Sequence, residues 1–394
     1  MERRKQNNVG ACSTLVTLVD SIRAEEDDKV PIKMKKFVTK CPKILFIEPF
    51  YGGSHKQLID LLLNNTSHTF ISCTAKKWPW RARCSGLICS QLIPELTTEE
   101  ILFCSSVLNL PELLGLRPDL NKLKKIVYFH ENQFIFPIRQ IKGRDIQFAY
   151  NQITTCLAAD QVIFNSNFNK DSFLGNLKKI IKMLPDYRPK NLLDKISPKC
   201  MVLYFPVSFP ELPSEKQLDE NELHIVWPHR WEFDKDPELF LETLMELKKD
   251  KYSFKVHILG ENFEDVSATF GIAKEILKAN ILTFGFVQSK KEYYDILNSS
   301  HVAISTAIHE FFGVSMMESY YCGCFPLVPN DLVYPEIYPK ECLYKDPADL
   351  LKKLRKYCKN PKDAIKARSK LKIDVQQYSG DTLLPEYLKL LHLN

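Results

Sequence analysis

HVAISTAIHEFFGVSMMESYYCGCFPLV, residues 301–328, decides the fold. Val302–Ser305 reads as a strand and Thr306–Phe312 as a loop. A helix opens near Gly313, Cys322-Gly323-Cys324 makes a turn, and Phe325–Val328 is a second strand. This handover from helix to strand builds a doubly wound sheet. Glu310 stands in the loop, and Glu318 lies about two turns into the helix, on nearly the same face at roughly 100° per residue. Gly313 lets the chain turn tightly and approach a ligand. The first helical N–H groups, at Gly313 and Val314, then point unpaired into the crevice, which favours an anion, and Phe312 just before them is a further expected donor contact. Two acids flanking an anion hole suit a ligand with hydroxyls at both ends and phosphate between them, as in a nucleotide sugar. The plain alternative is a strand end and a solvated helix carboxylate.

Upstream, LHIVWPHR reads as a strand, and WEFDKDPELFLETLMELKK as a loop entering a helix with an acidic first turn. Arg230 and Lys235 flank that loop at the strand's C-terminal end, where both can reach one diphosphate. Arginine supplies a planar fork and lysine a point charge. Asp234-Lys235-Asp236 spells an acidic D-x-D pattern, but Pro237 follows at a helix start, where acids favour the helix dipole. No metal is expected. FKVHILG and ILTFGFV read as further strands, with helices over Phe263–Ala279 and KKEYYDILNSS.

The first domain opens at Lys43 with KILFIEPF, a near-continuous apolar run typical of a parallel strand buried on both faces. Gly52 and Gly53 follow, letting the backbone approach a phosphate or sugar, with Ser54 as the expected helix N-cap. The pattern is not G-x-G-x-x-G, so it is not a dinucleotide fingerprint. In TAKKWPWRARC, residues 74–84, Lys76, Lys77, Arg81 and Arg83 interleave with Trp78 and Trp80. Cations for phosphate and flat rings for exposed bases suit single-stranded RNA; a surface loop with tryptophans packed on the core is the alternative. The strand Ile126–Phe129 ends in His130-Glu131-Asn132-Gln133, polar groups placed where open α/β sheets bind ligands.

The organisation expected is a flexible extension over 1–40, an N-terminal Rossmann-like acceptor domain over 41–207 and a polar linker over 208–222. A C-terminal Rossmann-like donor domain over 223–375 follows, and 376–394 form a helix packing back on the first domain. The chain has 394 residues, 45% hydrophobic and 26% charged, with net charge +6. That is globular and mildly basic, compatible with a polyanionic partner. Twelve cysteines include no C-x-x-C pair, and the N-terminus lacks a secretory apolar region. Reduced thiols in the cytoplasm or nucleus are expected. No run of 18 apolar residues suggests a membrane span.

Gly52-Gly53, His130, Arg230-x4-Lys235 and Glu310-x7-Glu318 occur in the order used by retaining nucleotide-sugar glycosyltransferases of GT-B architecture, which this chain resembles. The resemblance implies two Rossmann-like domains facing a cleft, with the nucleotide base against Gly285, Phe286 and Val287. FYGGSHKQL, AKKWxWRAR, YFHENQ, WPHRWEFDKDPE and HEFFGVSMMES with DLVYPEIYP look like the tRNA-queuosine α-mannosyltransferase family, over about residues 42–390. That implies transfer of mannose from GDP-mannose to the cyclopentene-diol of queuosine at the wobble position of a tRNA for aspartate, with the α configuration retained. Arg230, Lys235 and the helix start would stabilise the diphosphate, Glu310 would hold sugar hydroxyls and Glu318 the ribose. His130 would sit near the anomeric carbon. Glu131 and Asn132, with the 76–83 cluster, would face the tRNA. A GT-B enzyme acting on lipid or glycan, and an inactive RNA-binding module, are the alternatives.

Overall fold

The computed structural model describes residues 42–135, 146–211, 218–261 and 268–391. The extension expected over 1–40 and the centre of the expected linker fall outside the described residues.

The apolar runs form two parallel sheets. β1 (Ile44–Tyr51), β2 (His68–Thr74), β3 (Ile101–Ser105), β4 (Lys124–Phe129), β5 (Gln161–Phe164) and β6 (Cys200–Val202) pair in the order β2-β1-β3-β4-β5-β6. β7 (Leu223–Pro228), β8 (Phe254–Leu259), β9 (Ile281–Gly285), β10 (Val302–Ile304), β11 (Phe325–Pro329) and β12 (Leu343–Tyr344) pair in the order β12-β11-β10-β7-β8-β9. Counted within its own half, the second sheet runs 3-2-1-4-5-6 in reverse, the Rossmann order. Its strand order switches between β7 and β10, and ligands bind such folds outside the strand ends at that switch.

Alternation along β1 assigns the two faces of the first sheet. Ile44 and Phe46 pack with α1 (Gly53–Leu63) on one side. Leu45 and Ile47 face the layer built from α2 (Trp78–Leu92), α3 (Leu110–Leu116), α4 (Ile146–Ala158), α5 (Asn167–Ile181) and α6 (Leu192–Ile196). The second sheet is flanked by α7 (Pro237–Lys249), α8 (Ala268–Ile276), α9 (Lys290–Ser299), α10 (Val314–Tyr321), α11 (Tyr334–Ile337), α12 (Pro347–Lys359) and α13 (Pro361–Lys370). The chain then returns. α14 (Gly380–Leu391) packs on α1, and the Tyr387 hydroxyl donates to the Tyr204 carbonyl at 2.8 Å.

One carboxylate joins the lobes. Glu336 of α11 accepts from the Asn167 and Phe168 backbone N–H groups at 3.0 and 2.9 Å. The Asn167 side-chain amide at 3.0 Å and the Tyr204 hydroxyl at 2.8 Å complete the set. An acid at the exposed donors of a helix N-terminus is the favoured arrangement.

Two local expectations change. Residues 78–84 are the start of α2 rather than loop, with Pro79 tolerated in the first turn, where no helical N–H bond is lost. Gly52, not Ser54, is the N-cap of α1. A side chain on Gly52 would put its Cβ 2.4 Å from the Ala75 Cβ, so this glycine is also required by packing.

Candidate active site

At the switch point of the second sheet, the turn after β7 and the loop after β10 meet. Lys235 is buried, and its Nζ lies 3.1 Å from both the Asp234 and the Glu310 carboxylates. It also donates to the His309 carbonyl at 2.9 Å. Burial opposes a charge on Lys235, but Glu310 and Asp234 outweigh it and hold the pKa above the usual lysine value. Burial likewise opposes ionised Glu310, yet Lys235 brings that carboxyl down to about 2. Glu310 Oε1 accepts from the Phe311 and Phe312 N–H groups at 3.1 and 3.4 Å. The pair is therefore ionised, rigid and aimed by its loop.

Gly313 follows at φ +80, and a Cβ there would stand 3.2 Å from the Tyr334 ring. Only glycine fits this turn without strain. α10 starts at Val314, so the N–H groups of Val314 and Ser315 lack intrahelical acceptors beside Glu310, while those of Met316 and Met317 donate to the Gly313 carbonyl at 3.1 Å each. Arg230 completes the positive edge; its side chain is 55% exposed and pairs with Glu232 at 3.1 Å. The acids of the D-x-D pattern have other partners. Asp234 pairs with Lys235, and Asp236 caps α7 through Leu239 N–H at 3.2 Å.

Glu318 is buried, which removes the solvated-carboxylate alternative. The Tyr293 and Tyr294 hydroxyls donate to its two oxygens, each at 3.1 Å. Burial exceeds the effect of these bonds and raises its pKa to about 7. Gly285 has φ +118 at the end of β9, Phe286 is exposed, and Val287 packs partly against the core.

Across the cleft, β1, α1 and the segment after β4 build a second cluster. His55 is buried between Glu48 (3.2 Å) and Glu131 (3.3 Å). Burial disfavours its charge, but the two carboxylates prevail and take its pKa to about 10. Its ring stacks on His130 with centroids 3.9 Å apart. Burial, and then the charge on His55, push His130 well below the usual histidine value, so it is neutral. Ring contacts bring the two lobes together beside these clusters, Phe168 with Phe311 and Phe205 with Phe312, each with centroids 5.8 Å apart. Glu48, His55 and His130 have possible ligand atoms within 4.8 Å of one another. The contacts of His55 with both carboxylates make it an imidazolium clamp, and a cation there would have to displace its protons.

The 76–83 cluster is only partly free. Trp78 packs edge-on against Phe148. Arg83 lies over the Phe148 ring at 4.5 Å. Arg81 donates to the Thr74 carbonyl at 3.1 Å and hydroxyl at 3.0 Å. Lys76, Lys77 and Trp80 are exposed, Trp80 by 63%. With the tRNA acceptor and sugar donor that the sequence resemblance implies, Trp80→Ala should raise Km for the tRNA about tenfold, the value of one base stack, with Km for the donor unchanged. Steady-state kinetics varying each substrate in turn would show this; an unmoved tRNA Km would exclude Trp80 from the acceptor path.

Two expected contacts are not formed by side chains in the cleft. Asn132 is fully buried, its amide donating to Asn169 and Ser172 and its oxygen accepting from Phe134 N–H. Every polar atom is used inside the first domain, so it does not face an RNA. Phe312 is buried against Phe205 and Tyr378, leaving only its backbone toward the site. Sequence reading missed Glu48, His55, His309 and the Tyr293–Tyr294 pair. A signal existed for Glu48, since a lone carboxylate inside an apolar strand needs a partner.

Two parallel-sheet lobes with an ion pair and a helix start at one switch point define a GT-B glycosyltransferase. Structural likeness agrees. The trehalose-6-phosphate phosphatase N-terminal domain of Candida albicans matches at TM-score 0.65 and 12% identity, over 94% of this chain and 100% of that one. Sucrose-phosphate synthase of Thermosynechococcus elongatus matches at 0.63 and 12%, over 89% and 98%. Residues 43–207 match the family described as tRNA-queuosine alpha-mannosyltransferase N-terminal, and 208–378 match glycosyl transferases group 1. The tRNA-queuosine alpha-mannosyltransferase of Drosophila melanogaster is 47% identical over 363 residues, 89% of this chain and 96% of that protein. The chain belongs to the tRNA-queuosine α-mannosyltransferase family and is a hexosyltransferase. No helix among the described residues is long and apolar enough to cross a membrane.

Proposed function

We propose that this enzyme transfers mannose from GDP-mannose to a hydroxyl of the queuosine cyclopentene-diol at the wobble position of a tRNA for aspartate, retaining the α configuration. The observation that carries the reading is the Lys235–Glu310 pair beside the start of α10, opposite His130 and Glu131. The donor diphosphate lies along Arg230, Lys235 and the first N–H groups of α10. Its sugar hydroxyls meet Glu310, and its ribose meets Glu318. As the glycosidic bond breaks, its electron pair goes to the leaving phosphate oxygen, where these fixed positive groups stabilise it without reorganising. The acceptor oxygen bonds to the anomeric carbon on the same face, and its proton passes to the leaving phosphate. His130, neutral, positions sugar or acceptor. No metal or other cofactor is invoked, and the compartment is the cytoplasm or nucleus.

The direct test is a transfer assay with GDP-mannose and UDP-sugars against tRNA with and without queuosine. Transfer from a UDP-sugar, or equal transfer to tRNA lacking queuosine, would overturn the reading. Arg230→Ala should cut turnover by roughly 10²–10³, the usual loss for one oxyanion-type donor. Wild-type turnover would remove Arg230 from the diphosphate.

A further inference from the structure

We propose that the C-terminal end of α5, with the segment running through α6, is a second RNA-docking surface that grips the tRNA backbone away from the cleft. It rests on the reading that the acceptor is a whole tRNA. Residues 178–199 carry seven lysines and arginines against two aspartates, a surplus of five in a chain whose total is +6. Lys199 is structural, since its ammonium donates to the carbonyls of Cys156, Leu157 and Ala159. The other six, Lys178, Lys179, Lys182, Arg188, Lys190 and Lys195, are exposed, and none has an ion pair among the described residues. Basic groups left unpaired in one stretch retain their full attraction for phosphate. Tyr187, 78% exposed among them, offers a flat ring to an unstacked base or a ribose.

The fold sets the separation from the cleft. α5 begins at Asn167, in contact with Glu336 of the opposite lobe, and runs 15 residues away from it. That places the basic end about 22 Å from the lobe junction, at 1.5 Å per residue. α6 packs on both α4 and α5, and α4 carries the Phe148 ring that holds Trp78 and Arg83. One helical layer therefore presents the 76–83 cluster near the cleft and the 178–195 cluster far from it. A nucleotide held in the cleft and a helical stem leaving it would meet both. The far cluster contacts phosphate and so carries no sequence information.

The test uses the full chain with Lys178→Gln, Lys182→Gln and Arg188→Gln combined, and binding of queuosine-containing tRNA measured from 50 to 200 mM salt. Affinity should fall about tenfold, and the slope of log affinity against log salt should shrink by roughly two to three. Transfer to a short anticodon stem-loop that does not reach the patch should be unchanged. Unaltered tRNA affinity and slope would overturn the proposal. So would an equal loss on the stem-loop, or a loss confined to anionic phosphatidylserine vesicles. Failure of the wild-type chain to bind any tRNA would instead sink the acceptor reading itself. Circular dichroism of the variant separates lost docking from lost folding.

Discussion

Lys235→Met should abolish transfer and lower stability by about 3–5 kcal/mol, the cost of removing one member of a buried ion pair. Lys235 neutralises Asp234 and Glu310 at 3.1 Å each, in a site where water cannot do so. Its loss leaves two carboxylates repelling one another next to the anion hole. Substrate binding suffers at the same time, because the donor brings further negative charge. The double variant Lys235→Met with Glu310→Gln should recover much of the stability and none of the activity. Urea unfolding gives the first quantity and a single-turnover transfer assay the second. A Lys235→Met protein with wild-type unfolding midpoint would show that the pair is not held as described.

His55→Gln should destabilise the protein by about 3 kcal/mol, because Glu48 and Glu131 would then lie close together without the cation between them. It also has a pH signature. The folded pKa of His55, about 10, exceeds the unfolded value near 6.5. Its contribution is therefore fully present below pH 6.5 and is lost as pH rises toward 10. The wild-type melting temperature should fall across that window, and the variant should show a shallower fall. Parallel profiles would mean that His55 is not the charged centre of the cluster. Transfer should weaken in the variant as well, since His130 would lose the ring it stacks on.

The sheets were legible because parallel strands buried on both faces spell apolar runs, as in KILFIEPF and LHIVWP. Polar residues at the ends of such runs pointed to Arg230, Lys235, Glu310 and His130, and the structure gathers them about one cleft. Side-chain direction was harder. Asn132 follows directly after Glu131 yet turns inward, because the buried Asn169 and the half-buried Ser172 at the start of α5 take its amide. His55 read only as part of a helix start, since its partner Glu131 lies 76 residues away. Pairings over that distance leave no local pattern. The start of α2 at Trp78 was hidden by Pro79 and by Lys77, which takes the left-handed conformation at φ +51.

Glu336 gives the molecule its posture. Four donors from one lobe converge on a single carboxylate of the other, beside the ring contacts of Phe168 with Phe311 and of Phe205 with Phe312. Removing that carboxylate would loosen the setting of one half of the site against the other. The alignment of the two halves thus draws on a residue that never meets the sugar.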